Sequence, residues 1–139
     1  MARKVLDVSV REGGGPADRI QLADLQLTAG DAPSARKLYD EVLAQDASSG
    51  EALRGAARAA AAMGETDAAL GYWRRVVDGS APGGTAWYEA RIEQVTLLKN
   101  SDRKSDACSV LRSSRGQSKT AGGDALSKRL AGMEPEVCR

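Results

Sequence analysis

Residues 16–49 and 50–83 decide the fold of this chain, because they match when one is shifted by thirty-four residues onto the other. The first stretch reads PADRIQLADLQLTAGDAPSARKLYDEVLAQDASS, and the second reads GEALRGAARAAAAMGETDAALGYWRRVVDGSAPG. The matching residues are small or apolar, with one turn glycine, whereas the residues between them differ. The matches are Ala23 with Ala57, Gly30 with Gly64, Ala35 with Ala69, Tyr39 with Trp73, and Val42 with Val76. A period of this length is typical of helical hairpins that stack into a solenoid, so we expect an all-α fold.

Each repeat is predicted to contain two helices around a glycine turn. The first helix of each repeat is expected over 17–29 and 51–63. Gly30 and Gly64 follow these helices, and glycine readily adopts the left-handed conformation that ends a helix. The second helix of the first repeat carries apolar residues at the i, i+3, i+4 spacing that one helix face requires.

The phased residues resemble a tetratricopeptide repeat (TPR) array of the bacterial type. Ala35 and Ala69 take the alanine position of the family's second helix, and Tyr39 and Trp73 take its large aromatic position. The resemblance implies a right-handed α–α superhelix of about three helical hairpins plus terminal helices, or about seven helices in all. Its first two repeats would be TPR 1 over 16–49 and TPR 2 over 50–83.

A third repeat, TPR 3 over 84–115, follows the pattern less well. Trp87 and Ala90 suit its first helix, but the turn glycine is replaced by Asn100, two residues late. Ala107, which takes the alanine position of the second helix, comes four residues late. We therefore expect a degenerate repeat.

The two ends of the chain are predicted to be helical as well. Residues 1–15 suit either a half-repeat, as if the array once extended further, or an ordinary capping helix. Leu6 and Val10 would give this N-terminal helix an apolar edge, which is expected to favour self-association. Residues 116–139 are predicted to form a connector and a C-terminal capping helix.

The composition argues against catalysis. The chain has no histidine, which removes the commonest general base and the histidine-based catalytic and zinc sites. Gly13-Gly14-Gly15-Pro16 lacks the lysine and hydroxyl residue of a phosphate-binding loop. We therefore expect no enzymatic activity, no catalytic residues, no cofactor and no metal site.

The two cysteines and the N-terminus bear on the compartment. Cys108 is expected to be a buried thiol and Cys138 an exposed one, the alternative being a bridge that ties the C-terminal tail to the last hairpin. No stretch of the sequence is apolar for long enough to span a membrane. Without a signal peptide the default is a cytoplasmic protein, an argument that a truncated N-terminus would remove.

The resemblance implies a protein–protein interaction module that holds a peptide or partner helix in a concave groove. The first helix of each hairpin would line this groove. Arg54 and Arg58 are one helical turn apart, so an acidic–hydrophobic peptide is the favoured ligand. Asp24 on the preceding helix, or Glu89 and Glu93 on the next, could instead neutralise both arginines. The predicted groove residues are Asp24, Thr28, Arg54, Arg58, Tyr88 and Ile92.

Two other functions stay open. The chain could be the structural C-terminal segment of a larger TPR scaffold or assembly, as the half-repeat and the capping helix suggest. It could also be a nucleic-acid-binding accessory that uses the basic segment 99–119. No aromatic residue lies among those charges, and single-strand binders stack bases on aromatic rings, so we expect no nucleic-acid partner.

Overall fold

In a computed structural model, which describes residues 15–115 and 121–139, the chain is helical and contains no strand. The predicted all-α class is therefore confirmed for the described residues. Within them lie seven helices of ten or more residues and one of a single turn. They are α1 (Pro16–Thr28), α2 (Ala32–Gln45), α3 (Gly50–Ala62), α4 (Thr66–Asp78), α5 (Thr85–Asn100), α6 (Lys104–Ser113), α7 (Ala121–Ala131) and α8 (Glu134–Val137). The N-terminal helix predicted over 1–15, including Leu6 and Val10, lies almost entirely outside the described residues.

The chain forms two compact units, one ending at Tyr72 and the other beginning at Trp73. In the first unit, α2 packs against both α1 and α3, and α1 also contacts α3. Small side chains let these helices approach closely, and the matched residues Ala23, Ala35 and Ala57 are fully buried. The two predicted hairpins therefore bury the positions that the sequence period marks.

Three helix ends share one hydrogen-bonding pattern. After α1, the Asp31 amide donates to the Gln26 carbonyl (2.8 Å) and Gly30 has a positive φ of 90°. After α3, the Glu65 amide donates to Ala60 (2.9 Å), and the φ of Gly64 is 77°. Each is the six-residue closure that a left-handed residue permits, so both predicted turn glycines are confirmed.

The third turn corrects the prediction for Asn100. That residue is the last of α5, and the left-handed residue is Asp102, with φ 58°. The Arg103 amide then donates to the Leu98 carbonyl at 2.8 Å, as in the other two turns. Asp102 follows Gly64 by thirty-eight residues (102 − 64), where Gly64 follows Gly30 by thirty-four (64 − 30). Ala107 shifts by the same amount and is fully buried, so the third hairpin keeps its turn and gains about one helical turn.

A glycine in the middle of α3 makes room for an aromatic ring. Tyr39 on α2 is fully buried, and its ring lies directly against Gly55. A Cβ atom at Gly55 would lie 2.8 Å from Cδ1 of Tyr39, and closer still to Cε1 and Cζ. Only glycine lets α3 approach the ring at this point.

We expect Gly55→Ala to destabilise the fold by about 1–3 kcal/mol, because the new methyl group overpacks a buried contact. Helix propensity alone predicts a gain of up to about 1 kcal/mol for this change. Gly71→Ala is the matched control, since Gly71 is also helical but exposed, with nothing near its Cβ position. Urea unfolding of both variants should give opposite signs, and a stabilised Gly55→Ala variant would contradict the contact.

The second unit is built around α5. This helix packs against α6 and α7, and α8 packs against α6. Its core combines large and small apolar residues, among them Trp87, Val95 and Leu98 of α5 with Leu111 of α6 and Leu130 of α7. Because α6 and α7 both cover α5, this helix has little exposed apolar surface.

The two cysteines form a disulfide, so the expected pair of separate thiols is wrong and the alternative bridge is confirmed. The packing of α8 against α6 brings Cys138 beside Cys108, with their Cα atoms 5.0 Å apart. That separation is normal for a disulfide. The bridge joins the C-terminal segment to the last hairpin.

None of the helices in the described part of the chain has both the length and the apolar character needed to cross a membrane.

Candidate interaction surface

Four of the six predicted groove residues lie on two helices that contact each other. Asp24 and Thr28 are exposed on α1, one helical turn apart. On α3, Arg54 is half-buried and Arg58 is exposed. Because α1 contacts α3, the first helices of the two hairpins carry these four residues on neighbouring elements.

Asp24 and Arg58 both act on the hydroxyl of Tyr39. The Tyr39 hydroxyl donates a hydrogen bond to Oδ1 of Asp24. Burial raises the pKa of Tyr39 strongly, the Asp24 hydrogen bond and charge raise it further, and the charge of Arg58 lowers it. The phenol therefore stays protonated and keeps donating to Asp24 at neutral pH. The hydrogen bond links α1 to α2, and it gives Asp24 a structural role.

Thr28 and Arg54 differ in the polar contacts that they make within the first unit. The Thr28 hydroxyl donates to the Asp24 carbonyl, one turn earlier in the same helix, at 2.9 Å. Arg54 makes no ion pair with any residue in 15–115 or 121–139. Its guanidinium lies near the start of α3, where a Cβ atom at Gly50 would be 3.7 Å from Nη1. Arg54 is therefore the predicted groove cation that is available to a partner.

Tyr88 and Ile92 do not face a groove, which corrects the prediction for these two residues. Their exposed fractions are 0% and 3%. The Tyr88 ring packs edge-on against Trp87 with ring centroids 4.9 Å apart, and its hydroxyl donates to the Ser114 carbonyl at 3.4 Å. In a periodic array, Tyr88 and Ile92 would face the groove. Here α5 packs against two other helices, so both residues are part of the core.

A second polar cluster, which the sequence did not predict, connects α2 to the segment around α4. Arg36 pairs with Glu65 and lies 5.6 Å from the centroid of the Tyr72 ring. The Tyr72 hydroxyl donates to Oδ1 of Asp40 at 2.7 Å. Only the i, i+4 spacing of Arg36 and Asp40 was visible in the sequence, because the other partners are about thirty residues away.

The basic segment 99–119 is partly neutralised. Nζ of Lys99 lies 3.1 Å from Oε2 of Glu136, and Arg115 pairs with Glu134. Both acidic partners come from the C-terminal segment, which the nucleic-acid alternative did not consider. This pairing weakens the case for a phosphate backbone as the ligand, because such binding depends on several unpaired cations.

No protein-family model and no curated protein matches this chain.

Proposed function

We propose that this chain is a protein–protein interaction module that binds an acidic segment of a partner protein along α1 and α3. The observation that carries the proposal is Arg54, a half-buried cation with no acidic partner in the described part of the chain, on a helix that contacts α1. A carboxylate is the natural counterion for a guanidinium group, since two parallel hydrogen bonds can form.

The position of Arg54 strengthens the preference for an acidic ligand. Its guanidinium lies near Gly50, the first residue of α3. The amino end of a helix carries a partial positive charge, so the helix and the arginine attract the same anion. Because Tyr88 and Ile92 are in the core, the described residues support only the acidic part of the expected acidic–hydrophobic ligand.

We further propose that the hairpins belong to a TPR array and continue as a right-handed superhelix. The contact between α1 and α3, together with turns of one geometry after α1, α3 and α5, supports this assignment. In such an array the first helices of neighbouring hairpins, here α1 and α3, lie side by side and line the binding face. Solution scattering of the full chain is the direct check of an extended, curved shape.

A peptide-display selection tests the binding proposal. The folded wild-type chain should enrich peptides rich in Asp and Glu from a random library, and a selected peptide is then titrated by fluorescence anisotropy. Arg54→Glu should weaken its binding by about tenfold or more, because one favourable ion pair becomes a repulsion. The single change is preferable to Arg54→Glu/Arg58→Glu, since Arg58 also acts on the buried Tyr39.

Arg74→Glu is the matched control for this experiment. Arg74 is an exposed helical arginine on α4, so its replacement changes the net charge equally. Circular dichroism and thermal unfolding should show that both variants fold. If the two variants weaken binding equally, the attraction is nonspecific and the site assignment fails. If the wild-type chain enriches no acidic peptide, the binding proposal fails, and the alternative function as a structural segment of a scaffold is favoured instead.

The disulfide indicates where the module would work. Structural disulfides form and persist mainly in oxidising compartments and are rare in the cytosol. The Cys108–Cys138 bridge therefore favours an oxidising compartment over the cytoplasmic default.

A further inference from the structure

An open surface pocket of about 320 Å³, with exposed polar side chains, lies in the second unit between one face of α6 and residues 137–139. Three cationic side chains line it, those of Lys104, Arg112 and Arg139. Ser105, also on α6, adds a hydroxyl group that can donate a hydrogen bond, whereas the hydroxyl of Ser109 donates to the Ser105 carbonyl at 3.2 Å. We call this cavity the anion pocket.

Within the described residues, no acidic side chain offsets the charge of the anion pocket. No Asp or Glu side chain lines it, and within 15–115 and 121–139 its three cations form no ion pair. Asp106, the nearest acid on the same helix, lies 3.3 Å from Nε of Arg103. This contrasts with the neighbouring Lys99 and Arg115, which are both paired. The pocket thus groups Lys104 and Arg112 of the basic segment with Arg139.

The position of Lys104 and Ser105 adds to this field. They are the first two residues of α6, a helix of ten residues. The partial positive charge of a helix amino end favours bound anions. Lys104, Ser105 and the helix end therefore favour the same ligand chemistry, and Arg112 lies about two turns further along α6.

The disulfide fixes the wall opposite α6. Cys108 and Cys138 both line the pocket, and the bridge between them holds the backbone next to Arg139 against the helix. A binding group that is fixed before the ligand arrives loses less conformational entropy on binding. The bridge thus keeps the backbone before Arg139 next to α6.

We propose that the anion pocket binds a small solute that carries a phosphate or sulfate group. A tetrahedral oxyanion accepts hydrogen bonds from guanidinium, ammonium and hydroxyl donors together. The volume is at the lower end of small-molecule sites, which begin at about 300 Å³. It suits a compact organic phosphate or sulfate ester. The proposal is independent of the peptide-binding surface, which lies in the other unit.

The test is a titration of the full-length oxidised chain with inorganic phosphate and, separately, with sulfate, at an ionic strength held constant with chloride. Amide shifts in two-dimensional NMR should saturate and should centre on residues 104–112 and 137–139. Arg112→Gln and Lys104→Gln should each raise the dissociation constant by about tenfold, as expected for one lost charge-assisted hydrogen bond. Saturable binding of either anion at these residues supports the proposal.

Arg129→Gln is the matched control, because Arg129 is an exposed cation on α7 outside the pocket. It should leave the dissociation constant within about twofold of the wild-type value, because Arg129 does not line the pocket. The proposal is overturned if neither anion gives saturable shifts, or if Arg129→Gln weakens binding as much as Arg112→Gln does. Two pocket variants are used so that a folding defect in one does not decide the outcome.

Discussion

Replacing Trp73 by alanine should lower the free energy of unfolding by about 3–5 kcal/mol, the usual cost of removing a buried tryptophan. Trp73 is only 2% exposed and is among the largest buried side chains of the chain. A small domain has about 5–15 kcal/mol of stability in total, so the variant should unfold at a much lower urea concentration. Far-ultraviolet circular dichroism is the suitable measurement, because the change also removes a tryptophan whose fluorescence would otherwise be followed.

Leu25→Ala is the control for Trp73→Ala. Because Leu25 is 38% exposed, its replacement should lower the free energy of unfolding by much less than the replacement of the buried Trp73. Trp73→Phe, which keeps an aromatic ring, should fall between the two. A loss below about 1 kcal/mol for Trp73→Ala would show that the ring does not support the core, and with it the thirty-four-residue register would fail.

Breaking the Cys108–Cys138 disulfide should cost about 3–4 kcal/mol, the second-largest effect that we expect. The bridge closes a loop with a sequence separation of thirty residues. In the chain-entropy account, a bridge of this span stabilises the fold mainly by restricting the unfolded chain. The measurement is urea unfolding of the wild type with and without reductant, compared with Cys108→Ser/Cys138→Ser.

The double-serine variant also supplies the control for this experiment. Reductant should destabilise the wild type to about the level of the variant and should leave the variant itself unchanged. If reductant has no effect on the stability of the wild type, the two cysteines are not bridged in solution. An equal effect on both proteins would mean that the reductant acts elsewhere.

The fold of the first two hairpins could be predicted from the sequence because their packing positions are small or aromatic and recur in phase. Ala35, Ala69, Tyr39 and Trp73 are all buried, as the period predicts. The third turn could not be placed in this way. Aspartate tolerates the left-handed conformation less easily than glycine does but still adopts it, so Asp102 carries no sequence signal as clear as Gly30 or Gly64.

The sequence predicted the candidate surface only in part, and the cost of burying a charge explains which residues were placed correctly. Charged groove residues such as Arg54 stay at the surface in any register because burying an unpaired charge is costly. Apolar groove residues carry no such constraint, and Tyr88 and Ile92 are in the core of the second unit. The hydrogen bond from Tyr39 to Asp24 was also missed, since the aromatic position was interpreted only as apolar packing.

The contact between Gly55 and the ring of Tyr39 has a consequence for evolution. The two positions should covary among homologous chains: an aromatic residue at position 39 requires glycine at position 55, whereas a smaller residue there releases position 55 to alanine. Either substitution alone should destabilise the fold, so ancestors that carried only one of them would be poorly stable. The pair is therefore a more selective marker of descent than the alanine positions, which many unrelated helical hairpins share.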